Sequence, residues 1–186
     1  GGRAAIAAGS IGAIWIGAST PGMAVAGEVK LGFLPDDSLK PGPLGLMSKS
    51  GTLSYESGYR LAQAGVGTSL WIGVGGDPVK GTRYSDLVPF YAADERTRAL
   101  LVIGEIGGSD EEEFSRGLVE MKFPKPGLAL IAGRSAPAGV TMGHAGALVH
   151  GSQGTYAAKR AALESAGVIV YDSLADMVKG VESRLR

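Results

Sequence analysis

Short apolar runs recur through this chain at residues 44–48, 69–74, 99–104, 128–132 and 168–171, and a longer helix-like segment follows each of them. Runs of this length without polar alternation are the pattern of strands buried on both faces. Strands that alternate with helices imply a parallel sheet joined by right-handed crossovers. The pattern therefore predicts an α/β fold, a flavodoxin-like doubly wound parallel sheet of about five strands with helices on both faces. The helices are expected over 52–64, 84–93, 109–121, 155–166 and 173–185. Gly65 and Gly167 close the first and fourth, and Asp172-Ser173 with Asp176 opens the last.

The start of the chain follows a different pattern. Residues 11–17 read as one more strand, 24–34 as a hairpin and 35–43 as a linker rich in Pro and Asp. We expect residues 1–35 to be the end of a preceding domain with its hairpin and linker, and 36–186 to be the flavodoxin-like domain. With no initiator Met and an opening in mid-pattern, the chain is expected to begin partway through a larger protein. At 186 residues it is long enough for one sizeable core. Its 18 acidic and 18 basic side chains balance, which gives no electrostatic footprint for nucleic acid or an anionic membrane. The absence of cysteine excludes a disulfide framework and a thiolate metal site, and fits a reducing compartment. No leader and no apolar run of about 18 residues is visible, so a cytoplasmic protein is expected.

In open α/β sheets ligands bind beyond the carboxyl ends of the strands, and here those ends carry the unusual sequence. The turns are Ser48-Lys49-Ser50-Gly51-Thr52, Gly75-Gly76-Asp77-Pro78, Gly104-Glu105-Ile106-Gly107-Gly108, and Gly133-Arg134-Ser135-Ala136-Pro137, which leads into Met142-Gly143-His144-Ala145-Gly146-Ala147. Ser50, Gly51 and Thr52 open a helix, where hydroxyls, unpaired amides and the helix dipole together make an anion cradle; ordinary capping by Ser50 or Thr52 is the competing reading. No P-loop and no GxGxxG is present, so the chain has no nucleotide fingerprint of its own. His144 is one of two histidines, set among small residues that let a bulky group approach its ring. A phosphate-accepting nucleophile and a histidine merely satisfied at a loop–helix junction are both open. Glu105, at a strand end, can take the Nδ1 proton of His144 or sit as a solvated loop acid. Asp77 before Pro78 suits turn chemistry as well as a contact. Lys49, Arg83 and Arg134 can meet anions, although isolated basic residues are commonly surface. His150 gives no metal-ligand spacing, and no metal site is expected.

Taken together, these motifs resemble, in order and over about residues 12–184, the second domain of the α subunit of succinyl-CoA synthetase, which malate-CoA ligase and ATP-citrate lyase share. The resemblance implies an acid-thiol ligase, ADP- or GDP-forming, inactive without partner domains. A β-type subunit with an ATP-grasp domain would hold ATP or GTP with magnesium and pass a phosphoryl group to the histidine. The phosphohistidine would give it to a small carboxylic acid, and coenzyme A would displace phosphate to form the thioester. His144 is then the phosphorylated nucleophile and Glu105 its orienting acid. Ser50, Gly51 and Thr52 bind phosphate, and Tyr55 meets the acid substrate. Coenzyme A would bind largely outside this chain, on a Rossmann domain that precedes the region in the family. The family usually has Gly-Pro-Asn-Cys/Thr-Pro-Gly where this chain has Gly17-Ala18-Ser19-Thr20-Pro21-Gly22, and often basic residues where Val140 and Thr141 stand.

Two other classes of function compete. One is a non-catalytic phosphohistidine or assembly module that kept the fold and partner surface. The other is a hydrolase pairing Ser48 or Ser50 with His144, which the absence of a GxSxG elbow disfavours.

Overall fold

Leu100, Leu101, Val102 and Ile103 are successive and all buried, which requires packing on both sides of their strand. The computed structural model, which describes residues 7, 8, 10–135, 147, 149 and 154–186, supplies it. The elements run β1 (Gly22–Val25), β2 (Val29–Gly32), a 3-10 turn (Asp36–Ser38), β3 (Pro41–Ser48), α1 (Gly51–Gln63), β4 (Thr68–Gly73), α2 (Tyr84–Ala93), β5 (Ala99–Glu105), α3 (Asp110–Met121), β6 (Gly127–Ala132), α4 (Tyr156–Ser165), β7 (Ile169–Tyr171) and α5 (Leu174–Leu185).

One sheet holds all the described strands, in the order β2-β1-β4-β3-β5-β6-β7. The neighbours from β4 to β7 are parallel. Numbered among themselves, the five parallel strands lie 2-1-3-4-5, the flavodoxin order. Side chains alternate between two cores. Met47, Leu100 and Val102 face α2, α3 and α4 through Tyr91, Phe114 and Leu163. Leu46, Leu101 and Ile103 face α1 and α5 through Leu61, Met177 and Val181. Helices thus cover both faces, as the alternation predicts.

The strand count is corrected from about five to seven. The hairpin β1–β2 adds two antiparallel strands, with Met23 opposite Ile72 and Val25 opposite Leu70, so the sheet is mixed and runs through the boundary expected near residue 35. The strand expected over 11–17 does not form. Gly12 and Gly17 take φ of 67° and 120°, which breaks the extended backbone, and the segment bonds to the loop after β4. Thr82 Oγ1 donates to the Trp15 carbonyl at 2.7 Å, and the Gly81 amide to that of Gly17 at 3.0 Å. Among the described residues no helix is long and apolar enough to cross a membrane.

α1 lies close to β4 because Gly58 faces Trp71, a fully buried ring. A Cβ at Gly58 would come within 2.5 Å of that ring and 3.1 Å of the Ser38 carbonyl. Gly58→Ala is expected to destabilise the fold by about 1–3 kcal/mol through overpacking, although helix propensity alone favours Ala by about 1 kcal/mol. Urea unfolding midpoints check this, and a more stable variant would show that the ring can move aside.

Candidate functional site

β3, β4 and β7 end at one level, and β5 and β6 run past it. Ser48 pairs with Gly73 on one side and Ile103 on the other, whereas β5 continues to Glu105, opposite Ala132. The turns after β3, β4 and β5 enclose a cleft of about 200 Å³ whose walls include Lys49, Asp77, Lys80, Arg83, Glu105 and Asp110. Glu105 is buried at 6% exposure, and its amide donates to Glu111 Oε1 at 3.1 Å.

The turn before α1 is braced from within. Ser48 Oγ donates to the Ser50 carbonyl at 2.7 Å and accepts from the Ser50 amide at 3.0 Å. Ser50 is the N-cap, its Oγ accepting from the Leu53 amide at 3.2 Å. The capping reading of Ser50 therefore holds, with its hydroxyl proton still to donate. Gly51 and Thr52, at the first two helical positions, have amides with no intrahelical acceptor, and no acidic side chain stands in that first turn. Tyr55 curls back over the helix start: its hydroxyl lies 3.6 Å from where a Gly51 Cβ would be.

Beneath the cleft lies a buried ion network. Glu111, fully buried at the start of α3, pairs with Lys49 at 2.9 Å and with Lys159. Lys159, equally buried on α4, also pairs with Glu112 at 3.0 Å and donates to the Gly108 carbonyl at 3.1 Å. Asp110 carries the network outward, with Lys49 at 3.2 Å, Lys80 at 2.6 Å and Arg83 at 2.8 Å. Burial opposes ionisation of Glu111, but Lys49 and Lys159 outweigh it and hold its carboxyl below the usual range. Asp110 is held below its usual value in the same way, burial being outweighed by Lys49 and Lys80. Burial likewise opposes the charge on Lys49, yet Glu111 and Asp110 keep its pKa above the usual 10.5. Burial pushes the Tyr84 hydroxyl well up, helped by Glu111, Glu105 and Asp110; that hydroxyl donates to the Ile103 carbonyl at 2.7 Å.

Of the site residues expected from sequence, Glu105 lines the cleft, while Ser50, Gly51, Thr52 and Tyr55 gather at the start of α1. His144 and most of its loop, with His150, lie outside the described residues. Asp77 closes a turn, its Oδ1 accepting from the Val79 amide at 2.8 Å. Arg134 is exposed and pairs with Asp172 at 3.0 Å. Lys49 corrects the surface expectation, because it is 3% exposed and wholly engaged with acids. Glu111, Lys80 and Lys159 escaped sequence reading. A usable signal existed for Lys159, which stands four residues before buried Leu163 on the core-facing side of its helix. Among the described residues no three metal-binding side chains are grouped to hold an ion.

Residues 47–169 match the family described as CoA-ligase. The ADP-forming succinate–CoA ligase subunit alpha 1 of Archaeoglobus fulgidus is 46% identical over 166 residues, 89% of this chain and 56% of that protein. The ADP-forming sulfoacetate-CoA ligase subunit of Bilophila wadsworthia is 44% identical over 161 residues, 85% of this chain and 55% of that protein. The chain spans about half the length of the curated relatives it matches. Among solved structures, Methanosaeta concilii ATP citrate lyase in complex with (3S)-citryl-CoA superposes with a TM-score of 0.85 at 30% identity, over 98% of this chain and 32% of that one. The dinucleotide-forming acetyl-coenzyme A synthetase 1 of Ca. Korarchaeum cryptofilum shares the fold, with a TM-score of 0.74 at 22% identity over 95% of this chain and 37% of that one.

The network makes stability depend on pH in a stated direction. Asp110 and Glu111 are depressed in the folded state, so their contribution is complete above their unfolded values of 3.8 and 4.5 and is lost as pH falls through the folded ones. Lys49 is raised, so its contribution is complete below 10.5 and is lost as pH rises through the folded value. Urea midpoints should be level from about pH 6 to 9 with respect to these groups and fall below about pH 4. Asp110→Asn should flatten the acid limb by up to one proton, about 1.4 kcal/mol per pH unit. An unchanged acid limb would remove Asp110 from the account.

Proposed function

Because the chain belongs to the CoA-ligase family, we propose that it is the part of an acid–CoA ligase, of the succinate–CoA ligase alpha-subunit kind, that relays a phosphoryl group through His144. The observation that carries the proposal is the burial of Glu105 in the wall of a cleft that it shares with Lys49, the residue just ahead of the Ser50-Gly51-Thr52 helix start. A carboxylate at that point, next to an acid-free helix N-terminus, suits a histidine that must be oriented and then carry an anionic group. A solvated loop acid would be exposed instead.

In this reading the neutral Nε2 of His144 attacks the terminal phosphorus of ATP or GTP, bound with magnesium on an ATP-grasp partner. The P–N bond forms as the P–O bond to the nucleoside diphosphate breaks. Glu105 holds the Nδ1 proton, fixing the tautomer and stabilising the positive ring. The amides of Gly51 and Thr52 and the hydroxyls of Ser50 and Thr52 meet the phosphoryl oxygens, where the helix dipole favours negative charge. A carboxylate oxygen of the acid, positioned by Tyr55, then attacks phosphorus and the P–N bond breaks. The thiol of coenzyme A, held on a Rossmann domain, adds to the acyl carbon and phosphate leaves. Coenzyme A and the nucleotide are substrates of the whole assembly.

The test is labelling by the γ-phosphate of ATP or GTP in the complete subunit with its nucleotide-binding partner. Acid-labile, base-stable label is expected in the wild type and absent in His144→Asn; label that survives the substitution overturns the proposal. Glu105→Gln should slow transfer at least ~100-fold while changing stability by no more than about 1 kcal/mol. Thr52→Val removes one charge-assisted hydrogen bond of about 1.5–3 kcal/mol and should weaken inorganic phosphate binding by one to two orders of magnitude. A Thr52→Val variant that binds phosphate and accepts label normally would move the cradle elsewhere.

A further inference from the structure

Among the described residues Glu111 is the side chain that pairs with both Lys49 and Lys159. Its Oε1 also accepts the amide of Glu105 at 3.1 Å. The carboxylate lies directly against the strand because residue 104 is glycine. A Cβ there would come within 2.6 Å of Glu111 Oε1. One group thus joins three pieces of chain that the proposed chemistry needs in a common frame: the end of β5 with Glu105, the turn of Lys49 that leads into Ser50-Gly51-Thr52, and α4, which follows the His144 loop in sequence. The last link is doubled by the Gly107 amide, which donates to the Gly154 carbonyl at 2.7 Å.

Stability alone is a poor reason for this arrangement. Apolar side chains of similar volume commonly match or exceed a buried ion pair in stability, whereas a carboxylate with directed hydrogen bonds fixes where its partners stand. We propose that Glu111 is a positioning residue for phosphoryl transfer, holding Glu105 and the phosphate-binding turn in register with the segment that follows His144. The inference rests on the phosphohistidine reading above. It adds a role for a residue that touches neither substrate nor histidine.

The test uses the complete subunit with its nucleotide-binding partner. Glu111→Gln keeps the shape and an acceptor for the Glu105 amide but removes the charge. If it folds poorly, Glu111→Gln/Lys159→Met removes one charge of each sign and leaves Lys49 with Asp110. Per folded molecule, single-turnover transfer to histidine should fall ~10–100-fold, the penalty of a small misplacement, with the nucleotide KM within about threefold of wild type. In a Glu105→Gln background the same substitution should cost less than it does in the wild type, because the route through Glu105 is already lost and only the one through the phosphate-binding turn remains. A folded variant with the wild-type rate overturns the inference, as does a loss that carries over in full to the Glu105→Gln background. If the wild type takes no label, the histidine reading fails and a titration with inorganic phosphate, followed at the Gly51 and Thr52 amides, decides Glu111. There the charge-neutral double variant should bind about tenfold more weakly, as expected for a misplaced charge-assisted contact. Equal binding by wild type and variant overturns the inference, and a wild type that neither takes label nor binds phosphate overturns both readings.

Discussion

A carboxylate buried between two buried lysines is the interaction around which the ligand edge of this sheet is arranged. Glu111 has no access to solvent, and without it the two buried lysines would keep only Asp110 and Glu112 as counter-charges in a medium that solvates charge poorly. Lys49 belongs to the turn after β3, Lys159 to α4 and Glu111 to α3. The three elements are consequently fixed to one another at the level where the strands end. Gly104 makes this geometry available by leaving the strand surface bare where the carboxylate rests. Tyr84 completes the floor, with Lys49 5.8 Å from its ring centre and its hydroxyl tied to β5.

The same network separates the roles of two helix starts. Both α1 and α3 begin at the ligand edge with the positive end of the helix dipole facing the cleft side. The first turn of α3 contains Asp110, Glu111, Glu112 and Glu113, which neutralise its own dipole and engage Lys49, Lys80, Arg83 and Lys159. The first turn of α1 contains no acid, and its amides are left to other partners. An anion arriving at this edge therefore meets attraction at α1 and carboxylates at α3. That asymmetry suits a phosphoryl group held on one side of a histidine and an orienting acid on the other. No basic residue stands between Arg134 and His144 in the sequence.

The architecture was legible because burial on both faces leaves a plain trace. Each apolar run became a parallel strand with ends shifted by at most a few residues; the largest shift is in β3, which begins at Pro41. The helix over 84–93 has the expected bounds, and the others differ by a residue or so at their ends. The N-terminal segment was harder, because periodicity reports burial without reporting partners. In residues 11–17 only Trp15, Ile16 and Gly17 are at least partly buried while Ile11 and Ile14 are exposed, and the positive φ of Gly12 and Gly17 is invisible to any count of hydrophobic spacing. The hairpin was expected, but its attachment to β4 is a long-range pairing.

The order of strands and helices along the chain and the edge on which the glycine-rich turns gather can be read from the residues alone. Those properties follow from local composition and from the handedness of βα connections. That Lys49 is buried, that Glu111 stands between it and Lys159, and that the hairpin widens the sheet to seven strands are properties of the folded chain. The reason is separation along the chain. Lys49, Glu111 and Lys159 lie far apart in sequence, none has these counter-charges within its own segment, and burial becomes tolerable for each only once folding brings them within about 3 Å.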